Sequence, residues 1–128
     1  AISEYEIENV KVYKDDVRKL LTRIPEKFFE NIFIICPDPW PKQRQKKRRL
    51  INSEFIKSLL SKTKRVVIAT DHLDYAKWIL KHAIDAGVAM RSDNIADYTQ
   101  LPEGWIYTKY QRRGIKHGSN IYYFVLTP

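Results

Sequence analysis

The segment NIFIIC at Asn31–Cys36 is an almost entirely apolar run, rich in β-branched and aromatic residues. Such a run predicts a strand that is buried on both faces of a sheet. A second run of this kind is RVVIA at Arg65–Ala69, and a helical pattern separates the two runs. Strands that alternate with helices are typical of parallel sheets, so these runs predict two parallel strands.

The same alternation extends upstream. The alternating, valine-rich residues Asn9–Tyr13 predict a strand, and the apolar spacing of Asp16–Ile24 predicts a helix. Between the two central runs, either Asn52 or Ser53 can cap a helix with one apolar side. Three strand–helix pairs therefore predict an α/β fold with helices on both faces of the sheet.

Downstream of the second run, Asp71 is expected to cap a helix and Gly87 to end it. A short strand is expected at Val88–Arg91 and one helical turn at Thr108–Arg113. The run NIYYFVL at Asn120–Leu126 predicts a final strand, antiparallel at or near the edge. The sheet is thus expected to be mostly parallel with an antiparallel C-terminal strand.

Composition excludes several classes of protein. The 128 residues are 44% hydrophobic and 30% charged, which is typical of one globular domain. No apolar run is long enough to span a bilayer, and no basic-then-apolar secretory signal is visible, so we expect no membrane partner. Cys36 is the single cysteine, which excludes a disulfide scaffold and favours a cytoplasmic location.

The net charge of +8 is concentrated in two short segments. Lys42–Arg49 reads KQRQKKRR and has six basic residues, and Tyr107–His117 has four; neither has an acidic residue. In the rest of the chain, acidic residues outnumber basic ones. This distribution indicates a polyanionic partner, of which nucleic acid is the commonest, although a solvated surface is the simpler alternative for either segment alone.

Acidic residues follow each of the three predicted strands. Asp16, Asp38 and Asp71 would lie beyond the carboxyl ends of the strands, which is where open α/β sheets bind ligands. Asp16 and Asp71 can equally be helix caps. Asp38 is held between Pro37 and Pro39, in a turn where it cannot cap the next helix, so a ligand-binding role is favoured for it.

Other chemistries lack their motifs. No glycine follows a predicted strand, so neither a dinucleotide-binding loop nor a phosphate-binding loop is present. His72, His82, His117 and Cys36 do not have the spacing of metal ligands, and we expect no metal. Cys36 ends an apolar run, which favours a buried hydrophobic role over that of a nucleophile.

Three blocks of sequence carry a specific resemblance over nearly the whole chain. PDPWPKQRQKKRR at Pro37–Arg49, ATD at Ala69–Asp71 and TKYQRRG at Thr108–Gly114 resemble, in order and spacing, the tRNA (guanine-N7-)-methyltransferase family. The resemblance implies a Rossmann-like class I methyltransferase fold. It implies methyl transfer from S-adenosyl-L-methionine to N7 of the guanine at position 46, in the variable loop of tRNA.

The resemblance also implies residue roles. Asp38 matches the catalytic aspartate, which borders the methyl donor, and Asp16 matches a position that contacts the donor's adenine end. Lys42 and Asp71 match substrate-binding positions. The remaining matches are substrate-binding Thr108, Lys109, Tyr110 and Gln111, and RNA-contacting Arg44, Gln45, Lys46, Lys47, Arg48 and Arg49.

Two departures from the family pattern stand out. Gln111 occupies a position that is usually glutamate, so one charge is lost there. The family's N-terminal strands, glycine-rich loop and ribose-binding acidic residue would lie upstream of Ala1. Residues 1–128 are therefore expected to be the C-terminal part of a single methyltransferase domain. Such a part is expected to be inactive alone and to be completed by an N-terminal half or a homo-oligomer.

Two alternatives stay open from the residues themselves. The first is a non-catalytic RNA-binding module that kept the basic segment and lost the cofactor half. The second is an unrelated phosphate-binding or nucleotide-binding α/β domain, which the missing glycine loop disfavours.

Overall fold

The computed structural model describes residues 9–102 and 120–128. Its helices are α1 (Val17–Leu21), α2 (Ser53–Lys62) and α3 (Leu73–Asp85), and its strands are β1 (Phe29–Ile35), β2 (Thr63–Thr70) and β3 (Tyr122–Leu126). Two 3₁₀ helices, Gln43–Arg48 and Ile95–Tyr98, lie in the connections. No helix in these ranges is long and apolar enough to cross a bilayer.

The three strands form one mixed sheet in the order β1-β2-β3. β1 and β2 are parallel, with Ile34 opposite Ile68, and β3 is antiparallel to β2, with Phe124 opposite Ile68. A parallel pair requires a crossover connection, and α2 lies in that connection. The α/β class, the parallel pair and the antiparallel C-terminal strand are confirmed.

The core is organised around the central strand β2. Val66, Val67, Ile68 and Ala69 are completely buried, as their sequence predicts. Because side chains alternate along a strand, Val66 and Ile68 join the main core, whereas Ala69 joins a smaller cluster with Ile121 and Tyr123. The main core takes residues from all three helices, including Leu21, Phe55, Ile56, Leu59, Tyr75, Ala76, Ile79, Leu80 and Ala83.

The expectation that β1 is buried on both faces is wrong. Ile32 and Ile34 pack against the main core, whereas Phe33 is 49% exposed and Ile35 41% exposed. The described helices also pack with this one core, so the expected helices on both faces are not found in the described ranges. An apolar run indicates that a strand tends to be buried. Whether each face of the strand is covered depends on which other elements pack against it.

The predicted strand at Asn9–Tyr13 is also absent, and Val10, Val12 and Tyr13 are exposed. A strand is stable only when its backbone groups pair with a neighbour, and this segment pairs with no strand among the described residues. Val88–Arg91 forms no strand for the same reason. The helical turn expected at Thr108–Arg113 lies outside the described residues.

The helix ends follow local chemistry in most places. Asn52 caps α2, since its side chain accepts a hydrogen bond from the backbone N–H of Phe55 at 2.9 Å. Gly87 lies just beyond α3 with a φ of +85°, which confirms its role as the stop. α1 keeps its predicted cap, Asp16, but ends early at Leu21.

The cap expected at Asp71 is wrong. Nδ1 of His72 accepts the hydrogen bond from the backbone N–H of Tyr75 at 3.2 Å, and α3 begins at Leu73. The backbone N–H of His72 in turn donates to Oγ1 of Thr70 at 3.2 Å, which sets the helix start one residue later. Asp71 is therefore exposed and is not used to cap the helix.

The Asn52 cap gives a direct test of the α2 assignment. Asn52→Ala should lower the free energy of unfolding by about 1 kcal/mol, because the N–H of Phe55 loses its acceptor. Asn52→Asp should retain most of the stability. The exposed Lys57→Ala in the same helix is the control, and urea denaturation measures all three; an equal loss at Lys57 would contradict the cap.

Candidate functional site

Two of the three predicted aspartates lie at one edge of the sheet. Asp38 follows the end of β1, and Asp71 directly follows β2. Since these strands are parallel neighbours, their carboxyl ends meet at the same edge. Asp16 does not follow a strand; it caps α1, and both of its carboxylate oxygens are engaged by Arg18, which holds the pKa of this exposed carboxyl below its ordinary value.

Asp38 lies in a backbone turn of unusual geometry. Cys36 and Trp40, on either side of it, have φ angles of +50° and +40°, a left-handed conformation that is costly for residues other than glycine. The backbone N–H of Cys36 donates to the carbonyl of Ala69 at 2.7 Å, which ties the turn to β2. We call residues 36–40 the aspartate turn.

The environment of the cysteine in this turn disfavours a nucleophilic role. Burial, with a further effect from the charge of Asp71, raises the pKa of the Cys36 thiol, so the thiol stays protonated at neutral pH. The exposed Asp38 carboxylate is thus the acidic group that the turn presents, and one of its oxygens accepts a long hydrogen bond from the N–H of Trp40 at 3.4 Å.

Most of the basic segment forms a short surface helix directly after the aspartate turn. Lys42, Arg44, Lys47 and Arg48 are exposed, and the guanidinium of Arg48 lies 5.3 Å from the ring centre of Trp40. Gln45 and Lys46 are half-buried. Because a 3₁₀ helix has three residues per turn, Arg44 and Lys47 point to the same side. We call the four exposed cations the basic surface.

Arg49 is the exception, and its predicted contact with RNA does not fit its position. Its side chain is completely buried: Nε donates to the carbonyl of Pro39 and one terminal nitrogen donates to Asp74, both at 2.7 Å. The guanidinium lies 4.9 Å from the ring centres of both Tyr75 and Trp78. From its charge alone, Arg49 would be expected at the surface. Here its hydrogen bonds and the two aromatic rings hold the guanidinium inside the protein.

Sequence reasoning missed the pocket that receives Arg49. The backbone N–H of Ile51 donates to the hydroxyl of Tyr75 at 3.1 Å, and Nε1 of Trp78 donates to the Ile51 carbonyl at 2.7 Å. Asp74 also forms an ion pair with Lys46 at 3.4 Å, and its contacts with Arg49 and Lys46 lower its pKa. The sequence did contain a signal for this pocket: one acidic residue and two aromatic residues have the helical spacing that places them on one side of α3.

The other predicted site residues are placed as follows. Thr108, Lys109, Tyr110 and Gln111 lie outside the described residues. Within the described ranges, no group of histidine, cysteine and acidic side chains is arranged to hold a metal ion. His72 serves as a helix cap, and His82 connects two helices.

In this α/β domain the aspartate turn follows β1, and the basic surface follows the turn along the chain. A family model described as "Putative methyltransferase" matches residues 1–124 of this chain. The chain therefore belongs to the methyltransferase family that this model describes.

Curated relatives define the family more closely. The chain is 38% identical to the tRNA (guanine-N(7)-)-methyltransferase of Wolbachia pipientis wMel, over 96% of this chain and 56% of that protein. It is 37% identical to the enzyme of that name from Legionella pneumophila strain Lens, over 94% and 56%. The chain belongs to the tRNA (guanine-N(7)-)-methyltransferase family, and it spans about half the length of the curated relatives it matches.

A histidine beneath the Arg49 pocket predicts how stability changes with pH. Nδ1 of His82 accepts from the backbone N–H of Ser53 at 3.0 Å and lies 2.9 Å from the hydroxyl, and its ring lies 4.5 Å from that of Trp78. Burial lowers the pKa of His82 below its ordinary 6.5, although the charge of Asp85 opposes the shift.

Because the folded protein binds this proton less readily than the unfolded chain, stability should fall as pH drops from 6.5 towards the folded pKa. His82→Asn keeps a hydrogen-bond acceptor but cannot titrate, so it should flatten this part of the profile. Urea midpoints between pH 7.5 and pH 5.5 measure the effect, with Lys57→Ala as the control. An identical slope in His82→Asn would exclude His82 as the cause.

Proposed function

We propose that this chain provides the catalytic carboxylate and the RNA-binding surface of a tRNA (guanine-N7-)-methyltransferase. The reaction moves a methyl group from S-adenosyl-L-methionine to N7 of the guanine at position 46 of tRNA. The observation that carries the proposal is the placement of Asp38 in a strained turn immediately before the basic surface. Residues 1–128 would form the C-terminal part of a single Rossmann-like domain, and the relatives' names support the substrate.

The chemistry suits the side chains at this edge. N7 of guanine has an in-plane lone pair and no proton to lose, so a strong general base is unnecessary. Alignment of N7 with the methyl carbon and the sulfonium sulfur is the main requirement, and positioning alone can lower the barrier substantially. The Asp38 carboxylate either faces the guanine as it becomes cationic or accepts hydrogen bonds from its N1 and amino protons.

The methyl donor fits the exposed acidic groups. S-adenosyl-L-methionine supplies the reactive methyl on a positively charged sulfur. Asp38 would border it, and Asp16 would contact its adenine end. Arg18 holds the Asp16 carboxylate by two hydrogen bonds of 3.2 and 3.1 Å, so the orientation of this acceptor is already restricted. A carboxylate has further lone pairs with which to accept from an adenine amino group.

The tRNA would bind through its phosphates to the basic surface. Lys42, Arg44, Lys47 and Arg48 are exposed and close to Asp38 in sequence, so phosphate contacts made there would position the guanine near the turn. Asp71, at the same sheet edge, would contact the substrate, as would Thr108, Lys109, Tyr110 and Gln111. Arg48 already lies over Trp40, which supports a packing role for this tryptophan rather than stacking on a base.

Two variants separate the catalytic role from the binding role. In the full-length protein, Asp38→Asn should lower single-turnover methylation at saturating tRNA by about 10²–10³, because the charge facing the guanine is lost. Lys42→Ala should instead weaken tRNA binding and have a milder effect at saturation. Lys57→Ala is the control. Near-normal turnover in Asp38→Asn with lost turnover in Lys42→Ala would reverse these assignments.

The salt dependence of tRNA binding tests the basic surface. Replacing Arg44, Lys47 and Arg48 by glutamine should reduce the slope of log K against log salt concentration by about one unit for each lost phosphate contact. Lys57 and Lys81, exposed on α2 and α3, are matched controls. If the slope is the same in both sets, the basic surface is a solvated surface and makes no phosphate contacts.

A further inference from the structure

Arg49 ends the basic segment in sequence but lies inside the protein. We propose that Arg49 is a positioning residue, which holds the aspartate turn against α3 and does not contact RNA. The inference rests on the proposed function, since it assigns a task within that site. It distinguishes Arg49 from the exposed cations next to it, although Arg49 has the same charge and lies in the same segment of the sequence.

The hydrogen bond to the turn is direct. Nε of Arg49 donates to the carbonyl of Pro39, the residue that follows Asp38, at 2.7 Å. The turn holds two left-handed residues, Cys36 and Trp40, and such a conformation persists only where surrounding contacts enforce it. The bond between Cys36 and Ala69 restrains the first half of the turn, and Arg49 restrains the second.

The other end of the guanidinium is fixed by α3. Asp74 accepts from one terminal nitrogen at 2.7 Å, and the rings of Tyr75 and Trp78 each lie 4.9 Å from the guanidinium carbon. A planar group with several donors suits this pocket, since it can lie between rings and still donate at its edges. The ammonium of lysine has neither the plane nor the fixed fork of donors.

The remaining nitrogen of the Arg49 guanidinium argues against a role of Arg49 in stability alone. The terminal nitrogen of Arg49 that does not bond Asp74 is buried and has no hydrogen-bond partner among the described residues. An unsatisfied buried donor is costly, and apolar side chains of similar volume often replace buried charges without loss of stability. Asp74 would keep Lys46 as a partner after such a replacement. The specific contribution of Arg49 is therefore the orientation of the Pro39 carbonyl and, through it, of Asp38.

Arg49→Met is the central variant, since methionine can occupy the space between the rings but cannot donate to Pro39. Lys47→Ala, which removes an exposed cation from the same segment, is the matched control. In the full-length protein, Arg49→Met should lower kcat about tenfold or more, because the reacting groups are displaced. The KM for tRNA and the salt slope of binding should be unchanged. Lys47→Ala should instead raise the KM for tRNA and reduce the salt slope of binding.

Hydrogen exchange gives a measure that does not depend on activity. The amides of Cys36 and Trp40 should exchange faster in Arg49→Met, whereas the α2 amides should exchange as in the unaltered protein. Arg49→Lys, which keeps the charge and one donor nitrogen, should restore part of the protection and part of kcat. It also serves as the folded comparison if Arg49→Met fails to fold.

The outcomes separate the two proposals. If the unaltered protein transfers no methyl group to tRNA, the proposed function fails, and the exchange data still decide what Arg49 does. If kcat and turn exchange are unchanged in Arg49→Met while tRNA binding weakens and its salt slope falls by about one unit, Arg49 is a phosphate contact and the inference is overturned.

Discussion

The parallel pairing of β1 with β2 is the constraint on which the site depends. Its register sets Ile34 beside Ile68, so both strands end at the same edge and deliver Asp38 and Asp71 there. The prolines after β1 stop the chain from continuing as strand or helix, and the backbone bond from Cys36 to Ala69 directs it into the aspartate turn. Without this pairing, the two carboxylates would have no common location.

The basic segment illustrates how similar charges acquire different tasks. Four of its cations are exposed, Lys46 pairs with Asp74 at the boundary, and Arg49 is buried among Asp74, Tyr75 and Trp78. Charges at the surface are screened and available to a polyanion, whereas a buried charge must be paired. Asp74 therefore connects the segment to α3, and its contacts with Arg49 and Lys46 lower its pKa.

The sequence predicted two kinds of feature well. These are the helix ends, which depend on neighbouring residues, and the apolar run of the central strand, which is completely buried. β2 is apolar and central, and its sequence alone indicated that both faces are covered. Asn52 and Gly87 act within one turn of their helices, so the sequence predicted Gly87 as the stop and either Asn52 or Ser53 as the cap of α2. Asp71 was misplaced as a cap because His72 offers an equally suitable acceptor one residue later, and the Thr70 hydroxyl decides between them.

By itself the sequence determined the class of the fold, the position of Asp38 between prolines, the charge of the basic segment and the likeness to the methyltransferase family. The tertiary structure decided that β1 is half-exposed, that Asn9–Tyr13 pairs with no strand among the described residues, and that Arg49 is buried. The reason is physical: propensity and charge belong to the residue, whereas burial and pairing require a partner that is distant in sequence. For Arg49 the partners are Pro39, Asp74 and two aromatic rings, and only folding brings them together.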